Sequence, residues 1–217
     1  MADGQTATRS DAAEHIKAMA LKLFAERGVD GVTVRQIAEA AGQKNHAAVT
    51  YYFGSKEALV REVIVDGARA IDERRNRWLD EAERTCGPHS VLEVIDGLMR
   101  SALSPEPPPW GECYNRFIVV LGIANRPLLQ DALGDRWTSG YQRALAHIRR
   151  LMCDVPVREV NRRLLFMGAA IGGIMAGREG ELADTSRPHP TWGADATLAA
   201  AAAGVAAMVQ FGSRENF

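Results

Sequence analysis

Apolar residues recur at three- and four-residue intervals along nearly all of this 217-residue chain. That is the period of an amphipathic helix, and no strand-like alternation interrupts it. The pattern predicts an all-α protein. Its first stripe is Ile16, Ala20, Leu23 and Phe24. Asp11 can cap that helix, with Glu14 completing a capping box, and Gly28 ends it. Thr33 and Gln36 form a second capping box, Val32 and Ile37 supply a hydrophobic staple, and Gly42 ends the second helix. A third short helix fits residues 46–52. Gly54-Ser55 then opens a long helix from Lys56 to about Arg84.

Beyond residue 85 the breakers are Gly87-Pro88, Pro105 with Pro107, Pro108 and Pro109, then Pro127, Pro156 and the stretch 184–193. They separate helices near 89–103, 110–124, 127–153, 156–181 and 193–211. About nine helices result. Three form an N-terminal unit over residues 10–55, and the rest form a larger bundle over 56–217. No repeat of fixed period is present.

Composition narrows the chemistry. The net charge of -1 is not that of a strongly basic nucleic-acid binder. The distribution matters more: all four lysines, Lys17, Lys22, Lys44 and Lys56, lie in the first 60 residues, and residues 31–61 carry four basic against two acidic side chains. Phosphate affinity is local and grows with each contact. Cys86, Cys113 and Cys153 are widely spaced and odd in number, which fits neither a metal motif nor a disulfide framework. His15, His46, His89, His147 and His189 have no metal spacing, and GxSxG, P-loop and HExxH motifs are absent. No catalytic residue, metal or cofactor is assigned. The first ten residues lack the apolar core of a signal peptide, and the run Ala194–Phe211 holds Asp195 and is short and weak for a membrane span. The expectation is a reduced, cytoplasmic protein without a membrane partner.

Residues 33–53 read as two helices joined at Gly42, the second too short to stand alone. Val49 and Phe53 can pack it against the first. Its other face carries His46, Thr50 and Tyr51, with Lys44 and Asn45 at its entrance. These groups suit base edges and phosphate oxygens. Thr33 and Arg35 can reach a neighbouring phosphate, and Lys56 stands at a helix N-terminus that favours an anion. That is the layout of a helix-turn-helix. An ordinary three-helix lobe with aromatics in its core is the plain alternative.

Three runs carry a resemblance: Leu-Lys-Leu-Phe-Ala-Glu-Arg-Gly (21–28), Thr-Val-Arg-Gln-Ile-Ala-Glu-Ala-Ala-Gly (33–42) and Tyr-Tyr-Phe-Gly-Ser-Lys-Glu-Ala-Leu (51–59). In order and spacing this segment resembles the DNA-binding domain of TetR-type transcriptional regulators. Two features depart from the family pattern. One extra residue falls between Gly42 and Phe53, around Gln43-Lys44, and Tyr52 replaces a common histidine. The resemblance implies phosphate contacts for Tyr51 and Lys56 and a base-facing surface at His46, Ala47 and Ala48, where Ala48 would meet a thymine methyl. It also implies a ligand-sensing, dimerising remainder, a palindromic DNA operator and a small-molecule effector.

Within the bundle, Trp110, Tyr114, Trp137 and Tyr141 each combine apolar area with a polar tip. With Ile95, Met99, Phe117, Leu121 and His147 they are candidates to line an effector pocket, and the ligand so implied is apolar or amphipathic. The last two helices are rich in small residues, which let backbones approach closely. Gly168, Ile171, Gly172, Met175, Ala200, Gly204 and Met208 are the candidate dimer contacts, as the family resemblance implies. Intramolecular packing of the same helices is the alternative. The functional expectation is a dimeric ligand-responsive repressor. The other classes weighed are a helical protein-binding adaptor without DNA binding and a small helical enzyme.

Overall fold

The computed structural model describes residues 3–108 and 111–211, with side chains from residue 11. All regular structure among them is helical, in the order α1 (Asp3–Arg27), α2 (Val34–Ala40), α3 (Ala48–Phe53), α4 (Lys56–Arg84), α5 (Val91–Ser101), α6 (Tyr114–Ala124), α7 (Arg126–Leu133), α8 (Ser139–Leu151), α9 (Val157–Ala183), α10 (Pro190–Gly193) and α11 (Asp195–Gln210). No helix among the described residues is long and apolar enough to cross a membrane.

The all-α expectation holds, and the helix count rises to eleven for local reasons. The segment read as one helix over 127–153 is two. Asn125 caps α7 by accepting the Leu128 N–H at 3.1 Å, and Gly134, at φ 54°, ends it before α8 begins. A single turn, α10, forms inside the 184–193 breaker stretch. Asp11 does not cap α1. No proline or glycine stands between Gln5 and Arg27, so the helix runs straight through that position. The helix expected over 110–124 begins only at Tyr114: residues 111–113 are not helical, and Trp110 lies outside the described residues.

Packing groups the chain into two compact units, Met1–Gly67 with Phe117–Gly134, and Ala68–Arg116 with Asp135–Phe217. The first is centred on Ile16, Phe24, Ile37, Val49, Leu59 and Ile64, all fully buried. Its sequence-distant segment is held by two contacts. The Phe117 ring stacks on Phe24 with centroids 6.0 Å apart, and Arg61 on α4 pairs with Asp131 on α7 at 2.5 Å.

In the second unit α11 packs on α5 and α9, and α8 packs on α5. Ile95, Leu98, Met99, Ile148, Met167 and Ala202 sit at or below 1% exposure in one continuous core. Two buried carboxylates act as helix caps supplied from other helices. Asp72 on α4 accepts the Gly140 N–H and the Ser139 hydroxyl, each at 2.8 Å, at the start of α8. Thr138, the residue in the ordinary cap position, makes no side-chain cap bond. Glu179 on α9 accepts the Asn115 and Arg116 N–H groups at 3.1 and 2.6 Å and the Asn115 amide at 2.7 Å. Each carboxylate thus satisfies donors that a helix start leaves open. Burial pushes the Glu179 carboxyl up, against the pull of those donors.

Replacing Asp72 removes the cap and strands a buried N–H. Asp72→Ala is expected to destabilise the chain by about 2–3 kcal/mol, read as a lower urea midpoint with an unchanged slope.

Candidate nucleic-acid interface

The α2–turn–α3 segment is fixed by three local devices. At its start, the Thr33 hydroxyl accepts the Gln36 N–H while Gln36 Oε1 accepts the Thr33 N–H at 2.8 Å, the expected capping box. At the end of α2, Gly42 adopts φ 64°, with Gln43 N–H bonding Ala38 O at 2.9 Å and Gly42 N–H bonding Glu39 O at 3.0 Å. That pair of bonds is a Schellman motif, which glycine accommodates without strain. At the start of α3, Asn45 Oδ1 accepts the Ala47 N–H at 2.9 Å and its carbonyl accepts the Ala48 N–H at 3.0 Å. The extra turn residue thereby becomes part of a built turn, and α3 begins at Ala48 instead of 46. Val32, Ile37, Ala38 and Val49, each at or below 1% exposure, lock the two helices together.

Lys56 ties this element to α4. Its ammonium donates to Val29 O and Val32 O, both at 2.9 Å, so it closes the turn that leads from α1 into α2. The role expected from the resemblance was a phosphate contact. Two of its three protons are spent inside the protein.

The predicted DNA contacts divide clearly. Lys44, His46, Thr50 and Tyr51 are exposed on the outer side of the turn and of α3, Tyr51 to 64%. The Tyr51 ring meets Tyr52 edge-on at 5.1 Å, which steadies it. Thr33 and Arg35 are exposed at the start of α2, where Arg35 pairs with Glu39 at 2.8 Å. Asn45 is exposed, but its carbonyl oxygens are used to build the turn. Ala48 is a correction. It is only 7% exposed and faces the core, so its methyl does not meet a base. Ala47, one residue earlier, is exposed.

The residues expected around an effector do not gather in one unit. Phe117 and Leu121 are buried in the first unit, against Phe24 in the case of Phe117. Ile95 and Met99 are fully buried core in the second, and Tyr114 and Tyr141 pack on that core. His147 faces a polar seam instead of a pocket. Its Nε2 lies 2.8 Å from Glu83, which also accepts from Arg143, and these two partners hold the Glu83 carboxyl below the usual carboxylate range. Trp110 lies outside the described residues. Among the candidate dimer contacts, Ala200, Gly204 and Met208 lie on the exposed face of α11. Ile171 and Met175 turn inward to the core of their own unit, and Gly168 faces the Tyr141 hydroxyl. The outward face of α9 carries Leu165, Phe166, Ala169, Gly173 and Gly177 instead.

A capped helix pair around a glycine turn, with a polar face on the short second helix, defines a helix-turn-helix DNA-binding unit. Residues 16–63 match the family model of the bacterial regulatory proteins, tetR family. Over 73 residues it is 45% identical to the HTH-type transcriptional dual regulator CecR of Shigella flexneri, covering 34% of this chain and 32% of that protein. Over 98 residues it is 34% identical to the HTH-type transcriptional repressor KstR2 of Mycolicibacterium smegmatis, covering 45% and 43%. The chain thus spans less than half the length of the curated relatives it matches. A crystal structure of a transcriptional regulator from Rhodococcus sp. Rha1 shares the fold, with a TM-score of 0.55 at 20% identity over 92% of this chain and 96% of that one.

The Lys56 geometry makes a prediction that a purely phosphate-binding lysine does not. Lys56→Met should lower stability by about 2 kcal/mol in the absence of DNA, since hydrogen bonds to charged groups contribute about 1.5–3 kcal/mol each way. Thermal denaturation of the free protein checks this, and an unchanged Tm would assign Lys56 to the DNA alone.

Proposed function

We propose that this protein is a dimeric, ligand-responsive transcriptional regulator, a cytoplasmic repressor that a small apolar or amphipathic effector releases from a palindromic operator. The observation that carries DNA binding is the outer face of α3 and its turn. Lys44, His46, Ala47, Thr50 and Tyr51 stand exposed on an element held by the Thr33–Gln36 box, the Gly42 turn and the Asn45 bonds. A rigid, short helix of this kind reads base edges, while flanking groups hold phosphates. Thr33, Arg35 and the remaining proton of Lys56 are positioned as the flanking set.

Dimerisation is supported by the outward faces of α9 and α11. Leu165, Phe166, Met208 and Phe211 are exposed there, Phe211 to 81%. A Cβ added at Gly173, Gly177 or Gly204 would meet nothing within 4 Å. Glycine inside a helix costs about 1 kcal/mol relative to alanine, and nothing among the described residues approaches these three positions to repay that cost. Close approach of a second copy does. In function the chain divides into a DNA head at 10–55 and an effector and dimer domain at 56–217, although residues 117–134 pack with the head. Effector and DNA then oppose one another through a coupling free energy of about 1–3 kcal/mol.

The test uses the full chain and a duplex from the sequence flanking its own gene, with anisotropy read over a range of salt. Tyr51→Ala with Lys44→Ala should weaken binding at least tenfold and lower the salt slope by about 1. Saturation should fall at two chains per duplex. Unaltered affinity and slope would remove the DNA role from α3, and saturation at one chain would remove the dimer.

A further inference from the structure

On α4 of the second unit a half-buried guanidinium, drawn to Tyr141 and Asp72, has one nitrogen without an acceptor among the described residues. Arg75 lies on α4 in the register of Ile71 and Leu79, the face that enters the core. Its Nε is out of reach of solvent and meets no acceptor among the described residues. Asp72, three residues earlier, is already committed. Oδ1 takes the Gly140 N–H, and Oδ2 takes the Ser139 hydroxyl and the Asn76 amide. Against the guanidinium lies the ring of Tyr141, 5.5 Å away at its centre. The approach of α4 to α8 is so close here that a Cβ at Gly140 would stand 2.6 Å from that of Arg75.

Tyr141 and Trp137 complete the picture. A Cβ on Gly168 of α9 would come within 3.2 Å of the Tyr141 hydroxyl, so the glycine keeps that oxygen clear. Trp137 sits just before α8 at φ 59°, a strained conformation for a bulky residue. Its indole N–H is buried and also lacks an acceptor among the described residues. Burial pushes the Arg75 guanidinium down and the Tyr141 hydroxyl up, as expected where charge is poorly solvated. A buried donor left without an acceptor is costly, and each such group in a folded chain calls for an explanation, a bound partner among them.

We infer that Arg75, with Tyr141 as a further donor on the α4–α8 seam, receives the carboxylate of an amphipathic small molecule. A guanidinium binds a planar carboxylate through two parallel hydrogen bonds, and a dry site strengthens the pair. The apolar body of the ligand lies along Tyr114 and Tyr141, which pack on the apolar core. This inference rests on the effector reading above and gives that effector an acidic head.

Calorimetric titration of the full chain with octanoate and 4-phenylbutyrate, each beside its own neutral amide, tests it. At least one acid should bind tenfold or more tightly than its amide. Arg75→Met should abolish that preference, and Arg75→Lys should keep part of it. Without ligand, Arg75→Met should melt no lower than the parent, because it removes a buried N–H that has no acceptor among the described residues. Equal binding of acid and amide, no binding of either acid, an acid preference that survives Arg75→Met, or a lowered melting temperature of the unliganded Arg75→Met protein would each overturn the inference. An acid that binds through Arg75 yet leaves operator affinity unchanged would sink the induction reading and leave this site standing.

Discussion

The contact on which the DNA head depends is the Lys56 ammonium on the carbonyls of Val29 and Val32. One side chain at the first turn of α4 satisfies two carbonyl groups in the turn between α1 and α2. It fixes where α2 starts, and the Thr33–Gln36 box and the Gly42 turn then fix where α3 lies. A six-residue helix has almost no stability alone. Its direction is set by Val49 and Phe53 beneath it and by these polar bonds at its ends. The outer face holds Lys44, His46, Ala47, Thr50 and Tyr51 at the surface.

The second unit uses the same logic with buried charge. Asp72 and Glu179 each give a carboxylate to the start of another helix, where open N–H groups and the helix dipole favour an anion. Both are well satisfied. Arg75, one turn from Asp72, is not, and the contrast is informative. A chain that supplies acceptors so fully at two buried sites leaves the Arg75 Nε without one among the described residues.

Much of the head was legible in the sequence, because its signals are local. Thr33 with Gln36, Gly28 and Gly42 each name a backbone geometry that only a few residue types permit. The fate of the extra turn residue was not legible. Whether Asn45 caps α3 or faces outward depends on a bond two residues long, and that bond decides that Ala48 is buried and Ala47 exposed. The split of 127–153 was written in Gly134 but masked by a continuous apolar period on either side. Between Leu164 and Gly177 on α9 every position is small or apolar, so periodicity alone does not say which face meets the core. The structure places Ile171 and Met175 inward and Phe166 outward. Asp72 and Arg75 stand in the buried register of α4, a signal present in the sequence that only the packing of α8 makes readable. Phe117 joining Phe24 is a contact between residues far apart in the chain, and no local pattern encodes it.

The central claim is that two copies of the α2–α3 element read DNA from a two-fold assembly. Selection of binding sites by the full chain from a random duplex pool measures it most directly. The account predicts an enriched inverted repeat whose half-site centres lie about 34–36 Å apart, or a multiple of that turn repeat. A pool that shows no enrichment, or a single unrepeated site, would contradict it.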